Sequence, residues 1–158
     1  MLKLIAKHPT LKAYKYIIVL GNAYHWKAEL TTYVQQSGLN HELLIQTNLA
    51  EQMRRADMAI VSNGRTPFEL AAMGVPSVVI SAHARECLHT FYRRAGFAYC
   101  GNAQLVSDDD IATNISALSE HYANRIANRE KLEQLDFSFG QDRILALINQ
   151  ILYSKGDR

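Results

Sequence analysis

The chain has 158 residues, 48% of them hydrophobic and 20% charged, with 17 basic against 15 acidic side chains for a net charge of +2. That length suits one domain able to bury a core without staples, and the balance is that of an ordinary globular protein. The small positive excess gives no argument for nucleic acid, no apolar stretch approaches the ~20 residues of a membrane span, and the charges inside the opening MLKLIAKHPTLK argue against a secretory signal.

In chain order, Leu2, Leu4, Ile5 and Ala6 read as the end of an amphipathic helix closed by His8-Pro9. The apolar run 16–20 is a strand ending at Gly21-Asn22, and a helix over about 25–36 is stopped by Ser37-Gly38. A short strand at 42–45 leads through Gln46-Thr47-Asn48 to a helix over 49–55. Residues 57–81 then form the best-punctuated part of the chain. Two Val- and Ile-rich runs without charge, 58–61 and 75–80, flank a polar turn and a compact helix, as expected of strands buried on both faces of a parallel sheet. The turn is Ser62-Asn63-Gly64-Arg65. Thr66-Pro67-Phe68-Glu69 has the form of a capping box, with Thr66 at N-cap and Glu69 three residues on. Gly74 ends the helix in a left-handed conformation and Pro76 forbids its continuation.

Such a unit gathers a Gly-containing loop and a helix start at the carboxyl edge of a strand, where backbone N–H groups favour an anion. The plainer reading is that Asn63 and Gly64 only turn the chain, while Thr66 and Glu69 only cap the helix. After the second strand comes His83-Ala84-Arg85-Glu86, opening a helix that runs to Ala95-Gly96. Arg85 offers a bidentate fork to a phosphate and His83 a contact at the strand edge. A solvated helix start is the alternative for both, and His89 reads as a packing residue inside the helix. The last strand, 97–100, ends at Gly101-Asn102. Ser107-Asp108-Asp109-Asp110 reads as N-cap and first-turn acids rather than metal ligands. They open a long helix with the stripe Ile111, Ile115, Leu118, Tyr122 and Ile126. Gly140 starts a final helix bearing Ile144, Leu147, Ile148, Ile151 and Leu152. Cys87 and Cys100 lack metal-type spacing, so a reduced, cytoplasmic setting is the default. The alternation predicts an α/β fold over residues 1–158: a single Rossmann-like domain with a mostly parallel sheet of about five strands and helices on both faces.

The arrangement N-G-x-T-x-x-E-x-x-x-x-G-x-P from Asn63 to Pro76 resembles the signature of the C-terminal, nucleotide-sugar-binding half of GT-B glycosyltransferases. The nearest branch is similar to the peptidoglycan N-acetylglucosaminyl transferase and the UDP-sugar hydrolase of pseudaminic acid synthesis. That family usually has Gly-Gly where this chain has Asn63-Gly64, a mild departure because Asn tolerates φ > 0. The resemblance implies diphosphate or sugar contacts for Asn63, Gly64, Arg65 and Thr66, and a ribose-diol contact for Glu69. It adds weaker sugar or phosphate contacts for His83 and Arg85, since the family's usual Gln and Asn after this strand are absent. It implies no cofactor and no metal. It also implies that the family's first strand and Gly-rich loop are missing here, along with the acceptor domain that carries the general base.

The expected function is therefore binding of a nucleotide sugar, a UDP-sugar first, within a glycosyltransferase or sugar-nucleotide hydrolase of cell-surface glycan synthesis. No turnover is expected of this chain alone, and no catalytic base is assigned. The competing reading is a non-catalytic module that keeps the fold for ligand binding or subunit contact. A receiver-like domain would want carboxylates where the strands end in Gly21-Asn22, Thr47-Asn48 and Ser62-Asn63, which argues against it. A missing first strand would leave an open sheet edge, so the expected partners are an acceptor domain or a second copy of the chain.

Overall fold

A computed structural model describes residues 1–154, and in it each expected apolar run is a strand with only parallel neighbours. The strands are β1 (Lys15–Leu20), β2 (Asn40–Ile45), β3 (Ala59–Ser62), β4 (Ser77–Ser81) and β5 (Ala98–Asn102). The helices are α1 (Leu2–Lys7), α2 (Pro9–Lys12), α3 (Lys27–Gln36), α4 (Leu49–Arg54), α5 (Thr66–Ala72), α6 (Phe91–Ala95), α7 (Asp108–Ser119), α8 (Tyr122–Glu133) and α9 (Gly140–Ser154). A 3-10 turn, Ala84–Leu88, lies between β4 and α6. The strands are divided between two ladders, β1 beside β2 and β3-β4-β5 in that order.

β4 shows why both faces of the sheet are covered. All five of its residues are buried, and the period of two along a strand sends successive side chains to opposite faces. Val78 and Ile80 join a core with Leu4 and Ile5 of α1, Leu11 of α2 and Ile111, Ile115 and Leu118 of α7. Val79 joins a second core with Met53 of α4, Leu70 and Ala71 of α5, Ala95 of α6 and Leu132 of α8. β3, whose apolar run is similar, has one neighbour and Ala59, Ile60 and Val61 are only half-buried.

Three local expectations are corrected. The helix expected from 84 to 95 is broken: the 3-10 turn ends at Leu88, His89 is extended (ψ 123°) and α6 starts at Phe91. The cause is long-range, because the Asn63 side chain takes the carbonyl oxygens of Glu86 and His89 that a continuous helix would use. The long helix expected from Asp108 ends at Ser119. Arg125 donates to the carbonyls of Leu118 and Ser119, and Asn124 to that of Ala117, so side chains of α8 cap α7 and the chain turns. The stripe therefore stops at Leu118, and Tyr122 is exposed. Finally, the capping box at α5 does not form. Its N-cap is Arg65, and no side chain accepts a cap hydrogen bond. At α7 the expected cap does form, with Ser107 Oγ accepting from the Asp110 N–H at 3.1 Å. Gly74 has φ +66°, the left-handed turn that ends α5.

Candidate functional site

β3 and β4 are parallel neighbours, with Ser62 opposite Ile80, so the segments that leave them emerge side by side at one edge of the sheet. The Asn63 N–H continues the ladder by donating to the Ile80 carbonyl. The expected site residues divide between these two segments: Asn63, Gly64, Arg65, Thr66 and Glu69 after β3, and His83 and Arg85 after β4.

Asn63 is 1% exposed. Its Nδ2 donates to the carbonyl of Glu86 at 2.8 Å and to that of His89 at 2.9 Å. The bond is returned, because His89 Nδ1 lies 2.6 Å from the Asn63 carbonyl, which can only accept, so Nδ1 carries the proton. Below it, Ser81 Oγ is within 2.9 Å of the Tyr99 hydroxyl and accepts weakly from Asn63 Nδ2 at 3.4 Å. Asn63 thus ties the loop after β3 to the segment after β4. Neither Asn63 nor Gly64 has a positive φ, so left-handed tolerance is not what Asn supplies here. Its two amide hydrogens are.

Glu86 turns its carboxylate back over the end of β4. Oε2 accepts from the Ala82 N–H at 2.7 Å, and Oε1 lies 3.9 Å from His83 Nε2. A Cβ added at Gly64 would meet Glu86 Oε1 at 3.6 Å and Ser62 Oγ at 3.7 Å, so Glu86 also covers the Gly64 backbone. Its side chain is 13% exposed, against 59% for His83.

The remaining expected residues are differently placed. Arg65, Glu69 and Arg85 are exposed and Thr66 is half-buried. Among the described residues their side chains make no hydrogen bond or ion pair. Thr66 and Glu69 lie three positions apart in α5, hence on one side of the helix. Sequence reasoning missed Glu86 and the anchoring of His89. His83 and Glu86 were visible as neighbours in sequence, but nothing local signals that a residue 26 positions upstream holds His89. One open cleft, about 480 Å³, is lined by His8, residues of α7, Glu120 and His121. None of the expected site residues touches it. Among the described residues no group of three or more His, Cys, Asp or Glu is placed to hold a metal ion, and no helix is long and apolar enough to cross a membrane.

No protein-family model matches the chain. Among curated proteins it is similar to the spore coat polysaccharide biosynthesis protein SpsG of Bacillus subtilis (strain 168), at 25% identity over 146 residues. The match covers 90% of this chain and 43% of SpsG, so the chain spans less than half the length of that relative.

Proposed function

We propose that this chain, as a single domain, binds a nucleotide sugar, with a UDP-sugar first among the candidates. It would act in the cytoplasm, in cell-surface glycan synthesis, as the donor-binding part of a glycosyltransferase or sugar-nucleotide hydrolase. The observation that carries the reading is the state of Thr66 and Glu69. Both were candidates for mere capping, yet neither makes a cap bond and both side chains are without protein partners among the described residues. The likeness to a polysaccharide-biosynthesis protein supports the same direction. In this reading Thr66 and the amides of Gly64 and Arg65 meet the diphosphate, Glu69 accepts from the ribose hydroxyls, and Arg65 and Arg85 supply charge. Asn63 acts from beneath, by holding the two loops together. The chemistry would be displacement at the anomeric carbon, with the base that deprotonates the acceptor supplied by an acceptor domain.

One observation favours the second reading, a module that keeps the fold without turnover. The Glu86 carboxylate sits against the Gly64 backbone, and a fixed negative charge there opposes a diphosphate.

A thermal-shift panel of UDP, CMP, GDP and their sugars tests the proposal. At a hundred times its Kd a ligand adds about 2.7 kcal/mol to the folded state, which is roughly 5–11 °C for a chain of this size. A shift with UDP and UDP-sugars that Glu69→Ala abolishes is the expected result. No shift with any nucleotide at millimolar concentration would overturn the reading.

A further inference from the structure

A separate hollow lies at the opposite edge of the sheet from the loops after β3 and β4. Ser77 opens β4 and Ala98 opens β5, and both line a cavity of about 280 Å³ that residues of α7 and α8 also line. At about 3.3 Å per residue, the length of β4 separates this cavity from Ser81 and the candidate site. Asn128 and Lys131 of α8, three positions apart and so on one face of the helix, both reach it.

Asn128 is 6% exposed. Its amide hydrogens are accounted for: Nδ2 donates to the carbonyl of Ala95 at 2.9 Å and to that of Gly96 at 2.7 Å, which fastens the end of α6 to α8. Its Oδ1 is buried and has no partner among the described residues. Turning the amide round gives no relief, because an oxygen would then face two carbonyls. A buried acceptor without a donor costs free energy, and native interiors rarely leave one. Lys131 adds a charge beside it. A Cβ placed at Gly96 would lie 3.2 Å from Asn128 Nδ2, 2.8 Å from Lys131 Cδ and 3.6 Å from Lys131 Nζ, so the lysine lies across Gly96 next to the asparagine. Lys131 makes no ion pair among the described residues. The cavity thus combines a buried acceptor lacking a donor with a cation lacking a counter-ion. Its volume is below the roughly 300–1,000 Å³ usual for cofactors and drug-sized ligands, so the complement is small.

We propose that this cavity is a second ligand site, for a small carboxylate with a hydroxyl on the adjacent carbon. The carboxylate pairs with Lys131 and the hydroxyl donates to Asn128 Oδ1. An ammonium in place of the hydroxyl would be repelled by Lys131. The site is independent of nucleotide binding. Glycolate titrated into the 158-residue chain and followed in amide proton–nitrogen NMR spectra tests it. Millimolar glycolate is expected to shift the side-chain amide of Asn128 and the backbone amides of 96–98, and to leave those of 63–66 unmoved. Acetate, which lacks the hydroxyl, is expected to bind about tenfold more weakly, and glycine more weakly than glycolate. Lys131→Met keeps a stem across Gly96 and is expected to lose about tenfold in affinity with an otherwise unchanged spectrum. A spectrum indifferent to millimolar glycolate, shifts centred on 63–66, or acetate or glycine binding as tightly as glycolate would each overturn the proposal. So would full glycolate affinity in the Lys131→Met variant, or a crystal soaked in glycolate that shows water alone against Asn128 Oδ1.

Discussion

Asn63 is the residue on which the edge of the sheet depends, and removing its amide is the sharpest test of that account. Asn63→Ala deletes the two good hydrogen bonds to the carbonyls of Glu86 and His89, at 2.8 and 2.9 Å. It leaves unchanged the backbone bond from Asn63 N–H to Ile80. A typical intramolecular hydrogen bond contributes about 1 kcal/mol, and a buried partner left unsatisfied costs about 1–3 kcal/mol. Glu86 is half-buried and its carbonyl keeps the His89 N–H at 3.0 Å, while His89 is exposed and water reaches its carbonyl, so the lower figures apply. The expected loss is about 2 kcal/mol, or roughly 4–8 °C in Tm. Asn63→Asp keeps the shape but turns two donors into an acceptor facing two carbonyls at a site 1% exposed. It should cost more than Asn63→Ala at pH 7. As pH falls the carboxyl takes up a proton and becomes a donor, so the deficit relative to Asn63→Ala should shrink. Urea unfolding at pH 5 and pH 7 reads both effects. Hydrogen exchange adds a local readout, since amides from 84 to 89 should lose protection while those of β4 keep theirs. If the Asn63→Ala variant falls within about 0.5 kcal/mol of the parent and the Asn63→Asp variant matches it at both pH values, Asn63 is not a tether.

Two other outcomes follow from the same geometry. Glu69→Gln should leave stability within about 0.5 kcal/mol of the parent, because Glu69 makes no cap bond. On the proposed nucleotide-sugar reading, in which Glu69 accepts from the ribose hydroxyls, nucleotide affinity should weaken by about 1–2 kcal/mol, on the order of tenfold; calorimetric titration showing unchanged affinity would remove Glu69 from the site. In alkali, burial pushes the Cys100 thiol from 9.0 to about 11, and burial pushes the Tyr16 phenol from 10.0 to about 12. Both groups are neutral when protonated, so the unfolded chain loses these protons first and the folded state binds more of them between about pH 9 and 12. Stability is therefore whole below about pH 9 and falls across that window. The urea midpoint at about pH 10.5 should lie below that at about pH 8, and Cys100→Ala should lessen the drop; a flat profile would contradict the burial of both groups.

The sequence by itself determined the five strands and several helix ends, though not α2, nor the breaks between the 3-10 turn and α6 and between α7 and α8. Uncharged Val and Ile runs announce β3 and β4, Pro76 and Gly74 stop α5, and Ser107 starts α7, because these signals act within a few residues along the chain. The parallel α/β layering follows from the alternation of such runs with amphipathic stretches. What the sequence left open are matters of which distant groups meet. The division of five strands into ladders of two and three depends on which edges find partners, and strand composition does not encode that. The break at His89 comes from the amide of Asn63, 26 residues upstream, overriding a local preference for helix. The end of α7 comes from Asn124 and Arg125 reaching back over one turn of chain. At the candidate site the residue types in the turn were legible, but their division of labour was not. Asn63 holds the loops together, Glu86 lies against Gly64, and Thr66 and Glu69 make no cap bond. Burial and hydrogen-bond satisfaction assign those roles, and both are properties of the packed molecule.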